Sequence, residues 1–117
     1  MTKKEQFFLK KIYEDQVELH KAVKDFQITS SVALDKVHPT VRRGMIHAVA
    51  DIFELTLPLS EEIKDKLPLN KTIIKEFRNI VSHTYGTMTN LIAYACIKHC
   101  IEKEFMKTVK ELSDTKE

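Results

Sequence analysis

The sequence has few of the residues that make tight turns and cross-links. It contains two glycines and three prolines in 117 residues, which favours long helices over many short strands. Its two cysteines, Cys96 and Cys100, lie four residues apart on a predicted helix and provide no disulfide framework. A reducing compartment, the cytoplasm, is therefore expected.

Long hydrophobic segments and a large charge of one sign are also missing. No apolar run approaches membrane-spanning length, and the first residues lack the apolar segment of a signal peptide. The 19 basic and 17 acidic residues give a net charge of +2, which disfavours a protein that coats nucleic acid but allows a local basic site. We expect one cytoplasmic domain over residues 1–117, with no membrane association.

Apolar residues recur at helical spacing in four main segments. The first segment runs from about Lys3 to Phe26, and the second runs from His38 to Leu67, where Pro58 must kink or split the helix. The third follows Asn70, a plausible helix cap, and the last runs from about Asn90 to Leu112. Short connections between such helices predict an all-α, antiparallel bundle of four to five helices.

The last helix is apolar around most of its circumference. Its predicted inward stripe comprises Leu91, Tyr94, Ala95, Ile101, Phe105 and Val109. Further apolar residues cover the remaining surface of its first half, namely Ile92, Ala93, Cys96, Ile97 and Cys100. Between Met45 and Leu57 the second helix is similar, interrupted only by His47, Asp51, Glu54 and Thr56. Helices of this kind are buried on more than one side, which predicts a two-fold homodimer.

The most informative segment spans residues 78–85, Arg-Asn-Ile-Val-Ser-His-Thr-Tyr. Arg78 offers a rigid fork of donors that fits phosphate oxygens, and His83 can exchange protons near neutral pH. The Arg-x4-His spacing alone is weak evidence, because Arg42 and His47 share it. Asn79 directly after the arginine and Tyr85 two residues after the histidine distinguish this copy.

A helical projection places these polar residues away from the core. The predicted core stripe of the third helix comprises Ile73, Phe77, Ile80, Val81, Thr84 and Met88. Arg78 lies along one edge of it and Asn79 and His83 on the opposite flank, so that Arg78 and His83 are about 140° apart. They can converge on one phosphate if the helix distorts near Gly86 or if a second protomer completes the site.

With this motif on its third main helix, the chain resembles the HEPN superfamily, and within it the HepT-like toxins encoded beside minimal nucleotidyltransferases. Their signature is an arginine, a polar residue, three variable residues, a histidine, one residue and a tyrosine. Arg78, Asn79, His83 and Tyr85 match it position by position. Some relatives carry an acidic residue on the second helix, and Asp51 and Glu54 are the candidates here.

The resemblance implies a metal-independent endoribonuclease that works as a homodimer and needs no cofactor. It implies that His83 transfers protons, that Arg78 binds the scissile phosphate, and that Asn79 positions a phosphate or orients His83. Tyr85 is expected to contact RNA and to be the residue to which the cognate nucleotidyltransferase antitoxin attaches AMP. Added phosphate charge beside Arg78 would block the site.

Other readings of the residues remain open or are disfavoured. The chain can instead be a non-catalytic helical subunit that binds a nucleotidyltransferase and a nucleotide through the same Arg78 and Tyr85. The segment Cys96–Cys100 supplies at most three metal ligands, and packing is favoured over a metal site. No glutamate stands three residues before a histidine, as a di-metal carboxylate bundle requires.

Overall fold

A computed structural model of the chain describes residues 1–83 and 88–115, except for the side chains of Ser82 and His83. These residues form seven helices and no strand, so the all-α prediction is confirmed for them. The helices are α1 (Lys3–Asp25), α2 (Ser31–Lys36), α3 (Pro39–Thr56), α4 (Glu61–Lys66), α5 (Lys71–His83), α6 (Asn90–Cys100) and α7 (Lys103–Ser113). Within the described ranges, none of them is both long and apolar enough to cross a membrane.

Polar side chains fix where most of these helices begin. At α1, Thr2 and Glu5 form a reciprocal capping box, in which each side chain accepts from the backbone N–H of the other residue. Pro39 opens α3, one residue after the predicted start at His38, and Nδ1 of His38 accepts from the N–H of Thr40. Asn70 caps α5, as predicted, and such caps typically contribute about 1 kcal/mol.

The predicted second helix is divided near Pro58, as expected of a residue without a backbone N–H. α3 ends at Thr56, and α4 begins at Glu61 behind the cap residue Ser60. The short helix α2 was not predicted, since its cap residue Ser30 lies in a stretch interpreted as a break. Six residues are too few for a clear periodic signal.

The prediction of one continuous last helix, Asn90 to Leu112, is wrong. α6 ends at Cys100, and Glu102 has a ψ of 136°, outside the helical range, before α7 begins. The Nε2 of Gln16, a buried residue of α1, donates to the carbonyl of Cys100 at 2.9 Å. A partner from a distant part of the chain thus satisfies a carbonyl at the helix end, and no local glycine or proline signals the break.

The inward face predicted for the last helix is also partly wrong. Leu91 is 70% exposed and Ala95 is exposed. The buried face of α6 instead contains the set Ala93, Cys96, Ile97, His99 and Cys100. α6 packs against α2, α3, α5 and α7, so neighbouring helices of the same chain cover much of its apolar circumference, although Leu91 and Ala95 stay exposed. The apolar surface of α6 therefore does not by itself require a second copy of the chain.

Candidate functional site

Two phenylalanines connect α3 to α5 next to the exposed residues Glu54 and Arg78. The rings of Phe53 and Phe77 are both buried, and they meet edge to face with centroids 5.3 Å apart. Their neighbours in the chain, Glu54 and Arg78, lie on the exposed side of the same contact. Arg78 Nε is 3.6 Å from Glu54 Oε1, with the two side chains 49% and 62% exposed. A pair so open to water contributes at most about 1 kcal/mol, so a ligand can replace it.

A buried histidine holds the start of α5. Asn70 Oδ1 accepts from the N–H of Ile73 at 3.0 Å, while the N–H of Asn70 donates to Nε2 of His99 at 3.1 Å. The Nδ1 of His99 lies 3.3 Å from Oε1 of Glu102. These partners assign the proton to Nδ1, because Nε2 acts as the acceptor. The end of α6 thereby positions the helix that carries Arg78.

A groove of about 890 Å³ lies between α3 and α5, and we call it the Arg78 groove. The wall from α3 bears His47, Asp51 and Glu54. The wall from α5 bears the cations Lys71, Lys75 and Arg78 together with Asn79. The groove therefore has one acidic side and one basic side, and a polyanion would lie against α5.

The structure brings together part of the predicted site. Arg78 and Asn79 are both exposed and both line the Arg78 groove, which confirms that the core of α5 does not need them. Although the projection placed them on different flanks, one broad groove includes both. α5 ends at His83, whose side chain lies outside those described, and Tyr85 lies outside the described residues.

The acidic residues considered on the second helix both line this groove. Glu54 pairs with Arg78, and Oδ2 of Asp51 is 3.7 Å from Nε2 of His47. His47 was set aside in the sequence as part of a coincidental spacing, yet it lies in the same groove as Arg78. Its position four residues before Asp51, within the mostly apolar stretch from Met45 to Leu57, was the available signal.

The two cysteines of α6 are part of the buried core. Cys96 and Cys100 are buried free thiols. Burial raises the pKa of Cys96 to about 12 and that of Cys100 well above its usual value, so both stay protonated. Within residues 1–83 and 88–115, no group of three His, Cys, Asp or Glu side chains is arranged to hold a metal ion.

No family model, no curated protein and no solved structure matches this chain. The function is therefore inferred from the motif at residues 78–85 and from the groove that contains its first two residues. The groove offers the guanidinium of Arg78 for a phosphate, carboxylates that such a ligand must displace or avoid, and the imidazole of His47.

Proposed function

We propose that this chain is a metal-independent endoribonuclease of the HepT-like type, the toxin of a toxin–antitoxin pair. The observation that carries the proposal is the placement of Arg78 beside Asn79 in an exposed groove, where the contact of Arg78 with Glu54, within the described part of the chain, is weak. An arginine–phosphate contact is bidentate and charge-assisted, so a phosphate competes well against one carboxylate at 3.6 Å.

In the proposed reaction the RNA provides its own nucleophile. The base His83 takes the proton of a 2′-hydroxyl, whose oxygen attacks the adjacent phosphorus while the bond to the 5′-oxygen breaks. A protonated histidine, His83 of a second copy, gives a proton to the leaving oxygen. The products are a 2′,3′-cyclic phosphate and a 5′-hydroxyl end, so no metal-bound water is needed.

Arg78 stabilises the negative charge that builds on the phosphate oxygens during this attack, which is typically the largest contribution to such catalysis. Asn79, next to it in the groove, positions the phosphate or orients His83. Tyr85 contacts the substrate near the scissile bond and is the residue on which the antitoxin places AMP. The phosphate of AMP would then fill the space of the substrate phosphate and neutralise the positive charge of Arg78.

The proposal includes an antiparallel HEPN-like bundle that forms a two-fold homodimer in the cytoplasm. Its support is the angle of about 140° between Arg78 and His83 on an ideal helix, at which one copy does not point both side chains at the same phosphate. A cleft between two copies brings one residue from each chain to the scissile bond. Dimerisation is then a condition of activity.

Growth of a bacterium that expresses the chain, with and without the gene that neighbours it, tests the biological role. Arrest by the wild-type chain, relief by the neighbour, and loss of arrest in His83→Ala are expected. The exposed His20 on α1 provides the matched control, and His20→Ala should still arrest growth. Unimpaired growth with the wild-type chain would instead favour the non-catalytic partner subunit.

A further inference from the structure

A second groove continues the Arg78 groove along α3. It has a volume of about 810 Å³ and lies between α3, Asp35 at the end of α2, and residues 88–90 at the start of α6. His47 lines both grooves, so they meet at this side chain. We call it the Arg42 groove, after the arginine that lines it with a side chain only 25% exposed.

One face of α3 forms a wall of both grooves. At spacings of three and four residues, it presents Arg42, Arg43, Ile46, His47, Ala50, Asp51 and Glu54. From Arg42 to Glu54 this face extends about 18 Å at about 1.5 Å per residue. A stacked strand of nucleic acid rises about 3.4 Å per nucleotide, so the two grooves together match the length of about five nucleotides, with the strand on the basic α5 side where Asp51 and Glu54 line the α3 wall.

The charged side chains that line the Arg42 groove have an excess of positive charge. Arg42 and Arg43 face one carboxylate, that of Asp35. Oδ1 of Asp35 lies 3.9 Å from Nη1 of Arg42 and accepts a hydrogen bond from Nδ2 of Asn90 at 2.7 Å. A contact of 3.9 Å with an exposed carboxylate holds Arg42 weakly, and one carboxylate cannot neutralise two guanidinium groups.

We infer that the Arg42 groove binds backbone phosphates of the same RNA strand whose scissile phosphate lies at Arg78. This inference rests on the proposed function, and it adds that the substrate is a single strand long enough to occupy both grooves. Arg42 and Arg43 hold the strand through phosphate contacts and take no part in bond cleavage. His47 lies where the strand passes from one groove to the other.

Binding measured without cleavage tests the inference. In a His83→Ala background, fluorescence anisotropy follows the affinity for a single-stranded RNA that fills both grooves and for an RNA dinucleotide. Replacing Arg42 and Arg43 together by alanine should weaken the long RNA roughly tenfold or more, with a much smaller effect on the dinucleotide. The plot of log affinity against log salt concentration should become less steep by about 1.4, because two phosphate contacts are lost and each contributes about 0.7.

Two further variants distinguish RNA binding in the Arg42 groove from general electrostatic attraction of RNA to positive charge. Replacing Lys103 and Lys107 by alanine removes the same charge from exposed positions on α7, and it should change the affinity less than about twofold. Asp35→Asn removes the opposing carboxylate and should tighten binding of the long RNA. Because unfolding cannot increase affinity, this result does not depend on how the arginine variants fold.

The inference is overturned if both double variants lose affinity equally, if the dinucleotide is affected as much as the long RNA, or if Asp35→Asn weakens binding. A separate assay of RNA cleavage by the wild-type chain distinguishes this failure from that of the proposed nuclease. Cleavage together with unchanged binding by the arginine variant rejects only the groove. Arginine-dependent binding without any cleavage rejects only the nuclease.

Discussion

Arg78 Nε lies 3.6 Å from Oε1 of Glu54, and the residues that precede these two in the chain, Phe77 and Phe53, meet edge to face. The two rings are buried against each other, while the charged pair stays exposed. Glu54 therefore holds the guanidinium near the groove in the absence of RNA, and it competes with a phosphate for the same donors. Under the proposed function, the strength of RNA binding would depend on this residue of α3.

Replacing Glu54 by glutamine should tighten RNA binding up to about fivefold, because an exposed ion pair of at most about 1 kcal/mol no longer competes with the phosphate. Affinity is measured in the His83→Ala background. Glu111→Gln, which removes the same charge from an exposed position on α7, is the matched control. Weaker binding by the Glu54 variant would mean that the carboxylate positions Arg78 for the phosphate.

Replacing His99 by alanine should destabilise the fold by about 2–4 kcal/mol, since it leaves a cavity beside Phe105 and removes the acceptor of the Asn70 N–H. The free energy of unfolding in urea measures the effect. His99→Gln keeps a side-chain oxygen that can accept the hydrogen bond from the Asn70 N–H, so the decrease in the free energy of unfolding should be smaller. Equal decreases in the free energy of unfolding for the two variants would show that His99 stabilises the fold through packing alone.

Glu5 should give the protein an acid-dependent component of stability. Backbone N–H groups of Ser60, at 2.8 Å, and of Thr2, at 3.1 Å, donate to its carboxylate and lower its pKa from the usual 4.5 to about 2. Since the folded-state pKa is depressed, the stabilisation is present above about pH 4.5 and is lost as pH falls towards 2.

Glu5→Gln tests this dependence, because glutamine keeps the capping geometry and removes the charge. Urea unfolding at a series of pH values should give a parent curve that loses stability between about pH 4.5 and 2 more steeply than the variant does. Parallel curves across that range would contradict the assignment to Glu5.

Local signals predicted much of the helical framework. Pro39 and Asn70 mark helix starts, and Pro58 lies between α3 and α4, because caps and proline act within a few residues of their own position. The break between α6 and α7 was not predicted, since Gln16 comes from the opposite end of the chain to satisfy the carbonyl of Cys100. The buried face of α6 was also mispredicted, because a helix surrounded by neighbours has little periodic contrast.

The site was predictable only as far as one helix determines it. The exposure of Arg78 and Asn79 follows from their spacing against Phe77, which is the buried residue of that turn. Which residues of α3 face them depends on how two helices pack, so the sequence named Glu54 only as a candidate and set His47 aside. The roles of all four motif residues, Arg78, Asn79, His83 and Tyr85, stay predictions.

Cleavage of RNA by the purified chain in the presence of a metal chelator tests the central claim most directly. The account predicts cleavage by the wild-type protein that leaves 2′,3′-cyclic phosphate ends. His83→Ala should be slower by about 10²–10⁴-fold and Arg78→Ala by about 10²–10³-fold, with His20→Ala close to the parent. Absence of cleavage by the wild-type protein, or equal rates for all four proteins, would contradict it.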